Sequence, residues 1–127
     1  MKKWTVYFLL AGCLLLSSCG DRAASSQVQK QGGFKPKLDV AWKVNGTTLT
    51  VDVTTDMHIS PEHYGQARKA GEGHIHMYLD NGDKIGVKEN RYEFPDLQPG
   101  PHTLKVSLHN NDHTPYDVTQ TIDFEIE

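Results

Sequence analysis

Cysteine is almost absent from this chain of 127 residues: there are two, Cys13 and Cys19, and none beyond Gly20. The chain after Cys19 therefore has no disulfide, no thiolate nucleophile and no thiolate metal ligand, and its stability must come from a core. Sustained helical periodicity is missing as well, as are internal repeats and low-complexity tracts. There is no GxSxG elbow, no HExxH, no phosphate-binding loop and no dinucleotide fingerprint. Positive charge is not in excess, with 13 Lys and Arg against 16 Asp and Glu and a net charge of −3, which argues against a nucleic-acid partner.

The N-terminus does carry a signal. Met1-Lys2-Lys3-Trp4 leads into an apolar run from Val6 to Leu16, interrupted at Gly12, and then into Ser17-Ser18-Cys19-Gly20. A positive flank, a short apolar core and small residues form a signal peptide over residues 1–18. The run is about half of the roughly 20 residues that a spanning helix needs. Leu16-Ser17-Ser18-Cys19 resembles the lipobox of bacterial lipoproteins, which implies cleavage before Cys19 and a diacylglycerol thioether on its sulfur. The acyl chains would anchor the protein to the extracytoplasmic side of the cell membrane. Loss of Lys2 and Lys3 with the signal takes the basic residues from 13 to 11 and the net charge from −3 to −5.

Residues 19–37 then read as a lipidated N-terminus and flexible tether, rich in Ser, Gln, Gly and Lys. Residues 38–127 are enough for one small domain, and their pattern is that of strands. Leu38–Val44 and Thr47–Thr55 alternate on either side of Asn45-Gly46, a hairpin signal. Asp56–Gly73 reads as a long loop with at most one helical turn. His74–Leu79 alternates strictly and precedes a second turn signal, Asn81-Gly82. Short strands follow around Lys84–Val87 and Arg91–Phe94, then His102–His109 and Val118–Ile126. About seven antiparallel strands at this spacing predict an all-β sandwich of immunoglobulin-like or cupredoxin-like type.

All seven histidines lie beyond residue 57. His74 and His76 sit two apart on one strand, so their side chains share a face at a spacing of roughly 6.6–6.8 Å. Ile75, Met77 and Leu79 take the core-facing parity, which points His74, His76 and Tyr78 outward. Two imidazoles bind a metal weakly. A third ligand is expected from His113 in the Asn110–His113 loop, with His102 or His109 assisting, and the Met57-His58 or Glu62-His63 segment is the second candidate. Imidazole suits copper, zinc, nickel and iron. Without cysteine a blue-copper electron-transfer site is excluded, so copper here would be carried or buffered. The alternative for each histidine is a solvated strand or turn position, and His102 shares the parity of Leu104 and could cap the Pro99–Pro101 turn. Met77 reads as core filling.

Gly71-Glu72-Gly73-His74-Ile75-His76-Met77-Tyr78-Leu79-Asp80-Asn81-Gly82, then Leu97-Gln98-Pro99-Gly100-Pro101-His102-Thr103-Leu104-Lys105-Val106-Ser107-Leu108, then Asn111-Asp112-His113, resembles a group of small extracytoplasmic β-sandwich domains called YtkA-like or cupredoxin-like. The match covers roughly residues 57–116. It implies an exported immunoglobulin-like domain connected with metals and copper handling, and it points at His74, His76, His102 and His113.

Two functional classes follow. The first is a lipid-anchored domain that binds copper, or else zinc, through surface histidines. The second is a protein-interaction or structural module of the cell envelope that holds no metal. An enzyme is not expected, because a small sandwich leaves little room for a substrate cleft. The one enzymatic arrangement conceivable is a metal hydrolase using His74, His76 and His113 with Asp112 or Glu72.

Overall fold

The computed structural model describes residues 33–127. The signal peptide, the lipidation site at Cys19 and most of the tether lie outside the described residues. No helix among those residues is long and apolar enough to cross a membrane.

The described chain is all-β. Its strands are β1 (Leu38–Asn45), β2 (Thr48–Thr55), β3 (His58–Ile59), β4 (Glu72–Leu79), β5 (Ile85–Val87), β6 (Arg91–Phe94), β7 (Gly100–His109) and β8 (Pro115–Ile126), with one 3-10 turn at Pro61–His63. One sheet has the order β1-β2-β6, and the other runs β3-β4-β7-β8 with β5 also on β4. The pairings are antiparallel except for β3, which lies parallel to the start of β4. The sequence reading of the sandwich holds. It missed only β3, a two-residue strand within the long loop.

Local chemistry accounts for the turns. Gly46, at φ +59°, opens the tight turn between the paired ends Asn45 and Thr48. After β4 the reversal falls one residue earlier than Asn81-Gly82 suggested. Asp80 and Asn81 hold φ +50° and +55°, and the Gly82 amide donates to the Leu79 carbonyl over 2.8 Å. Asp and Asn tolerate this left-handed backbone better than other non-glycine residues.

The core lies between the sheets. Leu49, Val51 and Val53 of β2 and Phe94 of β6 meet Ile75 and Met77 of β4, Leu104, Val106 and Leu108 of β7, and Ile122, Phe124 and Ile126 of β8. A fully buried side chain of this size contributes about 1.5–3 kcal/mol, so the alternation on β4 and β7 fixes which face is inward. His74 and His76 take the other face, as expected from parity.

That outer face is not open to solvent. The segment between β3 and β4 and the turn between β7 and β8 fold across it, leaving His74 fully buried and His76 2% exposed. The expectation of surface histidines is corrected here: parity says which sheet face a side chain takes, and it carries no information about loops that cover that face.

Candidate metal centre

His74 and His76 enter the site from β4, where His74 is paired with His109 and His76 with Ser107 across β7. Gly73 makes this possible. A Cβ there would collide with the His109 carbonyl and reach Met57 Sδ at 2.9 Å, so only glycine allows β7 this close. His113 arrives from the β7–β8 turn, which is closed by the His113 amide donating to Asn110 O over 2.9 Å and the Asn110 amide donating to Thr114 O over 2.8 Å. His113 itself holds φ +68°, a conformation that costs a non-glycine residue energy and concentrates at functional sites.

Three ring nitrogens converge. His74 Nε2 lies 2.8 Å from His76 Nε2 and 3.0 Å from His113 Nδ1, and the three ligand atoms all fall within 4.8 Å of one another. A four-coordinate ion with metal–nitrogen bonds near 2.0–2.1 Å spaces its ligand nitrogens ~3.3 Å apart, so the two short pairs would part slightly and the third would close in around one. Protein hydrogen bonds alone serve the cluster poorly. An imidazole nitrogen either donates or accepts, and the Nδ1 atoms of His74 and His76 are buried without a partner.

The His74 and His76 rings are held neutral. Burial, helped by the charges of His113 and His109, lowers His74 to about 4. Burial, with His109 and His74, lowers His76 to about 3. Neutral imidazole is the form that ligates. Tyr64 covers the cluster, its ring centroid 4.4 Å from that of His74 and 4.8 Å from that of His113, and Lys88 Nζ sits 4.1 Å above the same ring. Gly86 leaves room for the phenol, since a Cβ there would press on the Tyr64 hydroxyl and come within 3.2 Å of its ring.

The remaining histidines divide differently from the sequence expectation. His109 stacks on His76 with centroids 3.7 Å apart, but its own nitrogens are occupied. Nδ1 donates to the His113 carbonyl and Nε2 faces Ser107 Oγ, each at 3.0 Å. It positions the cluster and its loop and does not offer a ligand atom. His102 is not brought to the cluster. It lies at the other end of β7, 2.6 Å from Asp80 and 2.7 Å from the Gln98 carbonyl, stacked on Phe124. His102 thus holds the Pro99–Pro101 turn, and its expected assistance in metal binding is corrected. His58 is exposed on β3. Met57 and Met77 belong to the core.

Sequence reasoning gave Glu72 no structural role, yet its carboxylate joins both covering segments. Oε2 is 2.7 Å from His63 Nδ1, accepts from Asn111 Nδ2 over 3.2 Å and lies 3.3 Å from Ser60 Oγ. Ser60 Oγ also donates to Asn111 Oδ1 over 3.1 Å, and Lys69 Nζ reaches Oε1 at 2.7 Å. Lys69, foremost, and then His63 and Asn111 hold this carboxyl at about 2 against the opposing effect of burial. His63, a second-choice ligand in the sequence, is therefore committed to Glu72. Tyr64 left no mark in the sequence, because its role depends on contacts with residues far along the chain.

Fold and site together define an immunoglobulin-like β-sandwich with a histidine triad, His74 and His76 buried and His113 half-buried, over the outer face of one sheet. The crystal structure of the PKD1 domain of Vibrio anguillarum Epp is similar, with a TM-score of 0.50 and 13% identity, covering 75% of this chain and 96% of that one. At that identity the likeness supports the fold alone. No protein-family model and no curated protein matches the chain.

Proposed function

We propose that this protein is a lipid-anchored, extracytoplasmic, metal-binding lipoprotein whose sandwich holds a transition metal ion, copper ahead of zinc, through His74, His76 and His113. One observation carries this reading: three imidazole nitrogens from two elements distant in sequence converge within 4.8 Å, two of them on buried rings. Imidazole nitrogens suit copper and zinc alike, and the preference for copper rests on the motif likeness that follows. The likeness of the three sequence motifs to YtkA-like domains supports a role in metal handling, and the lipobox-like Leu16–Cys19 supports the anchor.

The test is metal content and affinity of the purified protein for copper and zinc, beside a His74→Ala/His76→Ala double variant. Stoichiometric binding that the double variant loses, with the fold retained, is the expected result. Absence of binding tighter than about 1 mM, a free energy of about −4 kcal/mol, would overturn it. The reading would then pass to an envelope interaction module, for which the 44% exposed Trp42 on the edge strand β1 is the specific support. The lipid is tested separately, by the mass of the mature N-terminal peptide and its change in Cys19→Ala.

A further inference from the structure

The charge around the triad narrows the ion. Resting on the metal-binding reading above, we infer that the site is built for a monovalent soft cation, Cu(I), and disfavours divalent ions. Three observations converge on this. First, the ligand set is neutral: among the described residues the cluster joins three imidazoles with no carboxylate. Glu72 is committed to Lys69, His63 and Asn111, and Asp112, next to His113 in the chain, to Thr114 and Arg68. Second, the outward ring nitrogens lack support. A histidine that ligates a divalent ion nearly always passes its other N–H to a carboxylate, carbonyl or water, which spreads the charge. Here the Nδ1 atoms of His74 and His76 are buried with no partner. Third, a positive charge stands beside the cover. Lys88 Nζ lies 4.1 Å over the Tyr64 ring that covers the triad.

Desolvation grows with the square of the charge, so a bare divalent ion is penalised about four times as heavily as a monovalent one in such surroundings. Repulsion from the Lys88 ammonium doubles for the divalent ion. A divalent ion gains more than a monovalent one from an anion as an additional ligand, because the anion offsets that larger charge. Cu(I) needs none, and three imidazoles give it a complete trigonal set. Imidazole is a ligand that copper accepts readily.

The experiment uses the full chain in detergent micelles, with Cu(I) measured anaerobically against a chromogenic Cu(I) chelator, and Zn(II) and Cu(II) against competing chelators. Each is measured with and without chloride, in the wild type and in Lys88→Glu. Lys88 contacts the covering tyrosine and supplies no ligand atom. The expected result is that Cu(I) binds without chloride, that Zn(II) and Cu(II) bind more weakly and tighten with chloride, and that Lys88→Glu raises Zn(II) affinity roughly tenfold while raising Cu(I) affinity roughly threefold, because the Coulomb energy is proportional to ion charge. Zn(II) binding as tight as Cu(I), independent of chloride and unmoved by Lys88→Glu, would overturn the inference and leave the metal site standing. Failure of all three ions to bind would overturn the metal-binding reading itself, and this inference with it. A circular-dichroism spectrum matching the wild type confirms that Lys88→Glu is folded.

Discussion

Replacing Gly86 by alanine tests how the site is covered. In β5, Gly86 pairs with His76, and a Cβ would press on the Tyr64 hydroxyl and stand 3.2 Å from the Tyr64 Cζ. The backbone does not require glycine here, so alanine by itself would stabilise by about 0.4–1 kcal/mol through the unfolded chain. Against this, keeping the phenol in place means overpacking at about 1–3 kcal/mol. Swinging the ring away instead forfeits its contacts with His74 and His113, each worth roughly 0.5–1.5 kcal/mol for an aromatic pair. The phenol is the far end of a mobile side chain, so the ring moves. The net loss should be about 1 kcal/mol, a fall in Tm of roughly 4–8 °C for a domain of this size. Diethyl pyrocarbonate labelling read by mass spectrometry should then show His74 and His76 modified much faster than in the wild type. An unchanged or higher Tm together with unchanged labelling would refute the covering role of Tyr64.

Other outcomes follow from the same geometry. In the metal-free protein His74 and His76 have folded values of about 4 and about 3, below the ordinary histidine value, so the unfolded chain takes up protons first on acidification. Their contribution to stability is complete above about pH 6.5 and is lost between there and about pH 3–4, and urea midpoints measured across that range should fall with pH. Metal binding, by the same reasoning, should persist well below pH 6.5 as far as these two ligands are concerned, lower than an unshifted histidine would allow. His102→Ala should lower Tm and leave metal affinity unchanged, since His102 is bonded to Asp80 and Gln98; a loss of affinity would return it to the site. Its value is raised by the Gln98 carbonyl and the Asp80 carboxylate, so this contribution is present at low pH and fades as pH rises through the raised value. Gly73→Ala places a Cβ against the His109 carbonyl and Met57 Sδ and should prevent native folding, seen as lost amide dispersion in an NMR spectrum.

How much of this could be read from the residues alone depends on the range of the interactions involved. The β1–β2 hairpin is written in Asn45-Gly46 and the flanking alternation, because a two-residue turn and a period of two are local rules. The same period put Ile75 and Met77 inward and His74 and His76 together on the far face. His113 was legible as the third ligand only as a loop histidine near the end of a neighbouring strand. Burial of the site was not legible, since it depends on Tyr64, Ser60 and Asn111 meeting β4 across gaps of up to 39 residues. Nor was the separation of His102 from His109. Both lie on β7, but the strand is extended, and seven residues at roughly 3.3 Å each carry the first histidine to the opposite end of the sandwich.

The backbone of His113 offers the sharpest check that the third ligand is held where it is for chemistry. At φ +68° any side chain costs about 1–2 kcal/mol relative to glycine, so folding alone would favour glycine at this turn. Replacing His113 by alanine and, separately, by glycine removes the imidazole in both cases and isolates the backbone. At most sites alanine is the more stable of the two by about 0.4–1 kcal/mol. Here the order should invert, with the glycine variant more stable by roughly 0.5–1 kcal/mol once the two effects are set against each other, and neither variant should retain tight metal binding. Chemical denaturation of the two variants decides the first point, and competition with a chelator decides the second. An alanine variant at least as stable as the glycine one would mean that the turn does not hold this residue in the left-handed region, and a histidine would then be there without strain. The expected order instead means that a strained conformation is retained at the one turn position whose side chain reaches His74.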